Sequence, residues 1–142
     1  MKPKNLRAGI AVVAGLVLLV FAPGLWCGFY MDDHAFLHIV RSPVLVWEYF
    51  LHYVPGRNLQ IPFFAALHGL TGGQAPALHL AFLLCDAAGA VLAFLLLWEL
   101  TDLVSLSLPG ALVFALLPNH GETHFWFTQF VQCQIPALLC LL

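Results

Sequence analysis

Charge is what this 142-residue chain has least of. Asp, Glu, Lys and Arg make up 8% of it, against 62% hydrophobic residues, and mean hydropathy is +0.93. Soluble domains carry about 25% charged residues, so that class is excluded. With only five Lys and Arg and a net charge of −2, there is no basic footprint for nucleic acid. The four cysteines, Cys27, Cys85, Cys133 and Cys140, lack metal-type spacing. The last three lie in apolar stretches and read as small buried hydrophobes. No repeat and no low-complexity tract is found.

The few charges are placed unevenly. Lys2, Lys4 and Arg7 precede a stretch, Ala8 to Met31, with no charged side chain. About 20 apolar residues cross the ~30 Å hydrocarbon core, so 8–26 reads as a transmembrane helix. It reads as an anchor rather than a cleaved leader, because the run is long and no A-x-A site follows. The flanking cations place the N-terminus in the cytoplasm and Asp32-Asp33 outside it.

Residues 27–57 form the one extended region of mixed polarity. Asp33 is expected to N-cap a short helix on which His34, His38 and Arg41 make one polar stripe. Phe36, Ile39 and Val40 face the other way. Ser42-Pro43 restarts the chain as N-cap and first helical residue. Trp47, Tyr49 and Tyr53 then suit a headgroup interface, so two amphipathic interfacial helices are expected here. Residues 58–71 are apolar but make only about 20 Å of helix, less than a comfortable span, and read as short or re-entrant. Residues 75–100 and 103–118 read as transmembrane helices and 125–142 as the start of another. The expected class is all-α, a polytopic transmembrane bundle in a multi-pass protein of the plasma (inner) membrane. If 58–71 spans, residues 119–124 lie on the cytoplasmic side. If it does not, they share a side with Asp32. The chain ends inside an apolar run, Pro136 to Leu142, with no cap or flanking charge. The expectation is therefore the N-terminal part of a longer protein.

Adjacent carboxylates at a membrane surface are candidate catalytic groups. The side chains of Asp32 and Asp33 diverge, which favours a division of labour between a general base and a cap or metal ligand. The plainer reading is that both solvate a helix start. His34, His38, His52, Arg41 and Arg57 supply a polar and cationic lining able to hold a phosphate; headgroup contact and snorkelling would explain the same residues. His120, Glu122 and His124 form a second polar cluster. They are able to bind a divalent cation, though the order is not H-E-x-x-H and hydrogen bonding to a substrate is the preferred role. The cofactor is otherwise unknown, and no metal site is assigned. Asp86 within an apolar helix costs about 3 kcal/mol on insertion scales and marks a bundle interior. His68 and His79 read as helix-packing residues.

The order of these features resembles the N-terminal module of the GT-C superfamily of membrane glycosyltransferases, above all the protein O-mannosyltransferases and the tetratricopeptide-bearing transmembrane O-mannosyltransferases. The resemblance rests on Met31-Asp32-Asp33-His34-Ala35, Tyr53-Val54-Pro55-Gly56-Arg57-Asn58-Leu59 and Pro76-Ala77-Leu78-His79-Leu80. Phe114 to Trp126 carries it furthest, being similar to a Phe-Ala-x-x-Pro-x-His-x-Glu-x-x-x-Trp pattern. Two positions depart from the family: Phe82 stands where an Asn often follows the His, and Asn58 where a Pro follows the Arg. The resemblance implies inverting transfer of a sugar from a polyprenyl-phosphate donor to an acceptor hydroxyl on a protein, lipid or glycan, among membrane lipids. It implies that an aspartate of the first external loop, Asp32 or Asp33 and preferentially Asp32, is the catalytic base. Arg57 and the histidines would stabilise the departing phosphate. A non-catalytic transporter or assembly subunit, or an inactive remnant, is the alternative.

Overall fold

The computed structural model describes residues 3–29, 33–52 and 60–116, which are helical apart from short connections and contain no strand. Helix α1 covers Pro3–Phe21 and runs into a 3-10 helix, Ala22–Trp26. The change of winding falls at Pro23, which has no N–H to continue the α-helical ladder. Helix α2 is Asp33–Val40 and α3 is Pro43–His52. Ser42 separates them and caps α3: its Oγ lies 3.5 Å from the Leu45 N–H. Helix α4, Gln60–Thr71, ends in a Schellman turn, with Gly72 and Gly73 at positive φ and the Gly73 N–H donating to the His68 carbonyl at 3.1 Å.

Helix α5, Ala75–Thr101, is the longest element. Its last turn closes on Asp102, a non-glycine residue in the left-handed region at φ 53°, whose N–H donates to the Trp98 carbonyl at 2.7 Å. Helix α6, Val104–Leu116, follows at once. The junction is held by side chains. Thr101 Oγ1 donates to the Leu97 carbonyl at 2.7 Å and lies 3.1 Å from the buried Ser107 Oγ, which donates to the Leu103 carbonyl at 2.8 Å.

These contacts fix the helix directions. Gly9 of α1 packs against the Phe94 ring while Gly28, past the end of α1, meets His79 at the start of α5, so α1 and α5 are antiparallel. Gly110 packs on Leu97, so α6 is antiparallel to α5 as well. One end of the bundle thus carries residues 22–29, α2, α3, α4 and the start of α5. The other carries the start of α1 and the α5–α6 turn.

Two apolar clusters follow from this layout. The trunk joins Val13 and Val17 of α1 to Ala87, Ala90 and Phe94 of α5 and Ala111 and Ala115 of α6. Four of these seven residues are alanine, and small residues let helix backbones approach closely. The cap joins Phe36, Leu37 and Ile39 of α2 to Ile61 and Phe64 of α4 and Leu78 and Phe82 of α5. Phe36 and Phe64 meet with ring centroids 5.6 Å apart.

The segments Asn5–Trp26 and Ala75–Thr101 are long and apolar enough to cross a membrane. Much of their apolar surface is uncovered: Leu19, Val20, Leu84 and Leu100 are exposed. Helices α4 and α6 are shorter, 12 and 13 residues. At 1.5 Å per residue each reaches about 20 Å, less than a hydrocarbon core. Of the expected span 103–118, the described residues include the helix Val104–Leu116, and residues 117–118 lie outside them. The expected tail helix, 125–142, lies outside the described residues.

Candidate functional site

The candidate site is built at the cap end, where the chain leaves α1 and enters α2. Asp33 opens α2 and is completely buried. Its position in the first turn sets a carboxylate beside backbone N–H groups that lack helical partners, where the helix dipole favours negative charge. Asp33 shares its face with Phe36 and Leu37, both buried, so it turns toward the protein. A carboxylate that merely solvated a helix start would be exposed.

The histidines of α2 go the other way. His34 and His38 are exposed, as is Arg41, one turn further along the same stripe. The Phe29 ring approaches the edge of His34 with centroids 6.1 Å apart. The expected lining is therefore divided by the helix itself, which presents Asp33 to the interior and His34 and His38 to the surroundings. Asp32, Arg57, His120, Glu122 and His124 lie outside the described residues.

Helix α5 contributes what the sequence reading had set aside as packing. His79 is 4% exposed, and its Nε2 lies 3.4 Å from the carbonyl oxygen of Gly28. Phe82, one turn on, meets the imidazole edge to face at 5.9 Å and 86°. Nδ1 of the same ring is buried with no hydrogen-bond partner among the described residues. Seven positions along, on the same helix face, Asp86 is 6% exposed. The available signal for this pair was its spacing, since i and i+7 fall on one side of an α-helix.

Among the described residues the buried polar side chains are Asp33, His79, Asp86 and Ser107. Ser107 serves the α5–α6 junction. The other three belong to the cap and the middle of α5, and each takes a polar or charged group out of solvent in a chain that has few. A carboxylate so placed is able to take a proton from a hydroxyl brought to it. An imidazole so placed is able to orient a loop or a ligand. No group of three or more His, Cys, Asp or Glu arranged to hold a metal ion occurs among the described residues.

A groove of about 450 Å³ lies beside this region, lined by Val40, Pro43, Val46, Trp47, Phe50, Pro62 and Ala65 of α2, α3 and α4. Its walls are apolar, and Trp47 stacks on Phe50 with centroids 5.7 Å apart. Comparison with models of known families, with curated proteins and with solved structures gives no match to this chain.

Proposed function

We propose that this chain forms the front of a membrane glycosyltransferase, in which the acidic pair at the head of α2 accepts the proton of an acceptor hydroxyl while a polyprenyl-phosphate carrier leaves. The observation that carries the reading is the complete burial of Asp33 at the mouth of an apolar bundle. In so apolar a chain an inward-facing carboxylate is a functional candidate by default. The resemblance of the polar motifs to the GT-C module supports it, as does the lipid-like surface of α1 and α5. In this reading α1 and α5 cross the membrane in opposite senses, the N-terminus is cytoplasmic, and the cap lies in the outer interface. The carrier's hydrocarbon then stays in lipid while its phosphate meets the cationic residues near the surface, Arg57 among them.

His120, Glu122 and His124, which follow α6 in the sequence, belong to the same proposal. They would contribute hydrogen bonds to substrate or hold a divalent cation.

The deciding experiment measures sugar transfer from radiolabelled polyprenyl-phosphate sugars in membranes containing the protein. Asp32→Asn and Asp33→Asn are compared with the parent, with insertion checked by protease protection. At least one of the two variants is expected to lose transfer by about 10²-fold or more, the order contributed by a positioned general base. Full turnover in both variants excludes the acidic pair as base. Absence of transfer in the parent, with ion or solute flux that depends on Asp86, would favour the transporter reading.

A further inference from the structure

We infer that His79 is a positioning residue that holds the loop before the acidic pair in register with α5. The bond joins segments 51 residues apart, from Nε2 of a helix residue to the Gly28 carbonyl five positions before Asp33. A neutral imidazole carries one donor and one acceptor nitrogen, so donation to a carbonyl fixes the tautomer with hydrogen on Nε2. Nδ1 is then an acceptor, buried and without a partner among the described residues. Leaving a buried polar group unsatisfied disfavours the fold. A ring there for packing alone would gain nothing against that penalty, and phenylalanine would pack as well. The imidazole is distinguished from such a ring by the bond to Gly28.

Of the described loop residues, Phe29 packs on the cap cluster and against the His34 ring. Cys27 and Gly28 are exposed, and a Cβ built on Gly28 would touch nothing within 4 Å. The 3-10 turn before it is anchored by the Cys27 N–H donating to the Gly24 carbonyl at 3.0 Å. Just after that turn, His79 ties the Gly28 backbone to α5. At 3.4 Å the bond is at the long end for a nitrogen–oxygen hydrogen bond.

The exposed Cys27 thiol reports on this tether directly. A nitroxide is attached to Cys27 in the full chain with Cys85, Cys133 and Cys140 replaced by alanine, and its mobility is read by electron paramagnetic resonance. His79→Phe keeps the ring volume but loses the donor; His79→Gln keeps an N–H donor at a similar reach. The immobilised component of the spectrum is expected to be lost in His79→Phe and retained in His79→Gln. A second label at Leu70→Cys, at the exposed end of α4, is expected to be unchanged in both and reports that the cap is folded. Equal spectra for His79→Phe and the parent, or equal loss in both variants, would overturn the assignment.

The role in transfer rests on the function proposed above, and a separate readout tests it. His79→Phe is expected to lower kcat about 10²-fold, the usual effect of an ångström's misplacement, with KM for the lipid donor little changed. A lost tether in a protein whose parent form transfers no sugar sinks the transferase reading and leaves the positioning role standing.

Discussion

Gly9 and Gly15 occupy the same helix but meet different surroundings. A Cβ on Gly9 would overlap Phe94 Cζ, and the Phe94 ring is fully buried and has little room to turn away. A Cβ on Gly15 would meet nothing within 4 Å. Gly9→Ala is therefore expected to lower the stability of the α1–α5 contact by about 1–3 kcal/mol, the range for overpacking a close-packed site. Gly15→Ala is expected to be neutral or to raise stability by up to about 1 kcal/mol through helix propensity. Thermal unfolding of both variants in one detergent checks the pair, and equal shifts would contradict the packing assigned to Gly9. Legibility at this scale was uneven. The polar stripe of His34, His38 and Arg41 was visible in the spacing, because helical period alone decides which residues share a face. The inward turn of Asp33 was not, since Asp is equally at home as an exposed cap. Nor was the tether at His79, whose partner is a backbone carbonyl that no side-chain pattern announces.

At the scale of elements, α3 shows how a cap and a surface are combined. None of its residues is buried, yet it carries Val44, Trp47 and Leu51 exposed beside the single charge of Glu48. Its start depends on Ser42, so Ser42→Ala is expected to cost about 1 kcal/mol and to fray the first turn. Amide hydrogen exchange at Leu45 and Val46 is the direct test; unchanged protection there would remove the cap from the account. Removing Phe64 acts on the neighbouring element. Phe64→Ala empties the space between α2, α4 and α5 and is expected to destabilise the cap by about 3–5 kcal/mol. The two short helices after the first long one were legible because Ser42-Pro43 is a strong start signal. The boundary of the first helix was less so: an apolar run sets how far a span extends, whereas the ladder changes at Pro23, inside that run.

For the molecule as a whole, the antiparallel arrangement of α1, α5 and α6 makes a prediction about sidedness that does not depend on chemistry. Cysteines are introduced one at a time into a cysteine-free background and probed with an impermeant maleimide. Cys27 and Leu70→Cys are expected to react from the same side, because α4 stays at the cap end and does not traverse the bundle. Ser105→Cys, exposed at the start of α6, is expected to react from the opposite side. Reaction of Leu70→Cys and Ser105→Cys from one side would mean that α4 crosses. The question was open in the sequence because a 12-residue apolar helix is compatible with either course. The expected outcome rests on packing: Ile61 and Phe64 share the cap cluster with Leu78 and Phe82, near the beginning of α5.

One helix belongs to both apolar clusters. Leu78 and Phe82 are part of the cap, Ala87, Ala90 and Phe94 part of the trunk, and Asp86 stands where the two meet. Because one continuous helix serves both clusters, a displacement of its first turns against α2 and α4 would be transmitted to its packing against α1 and α6.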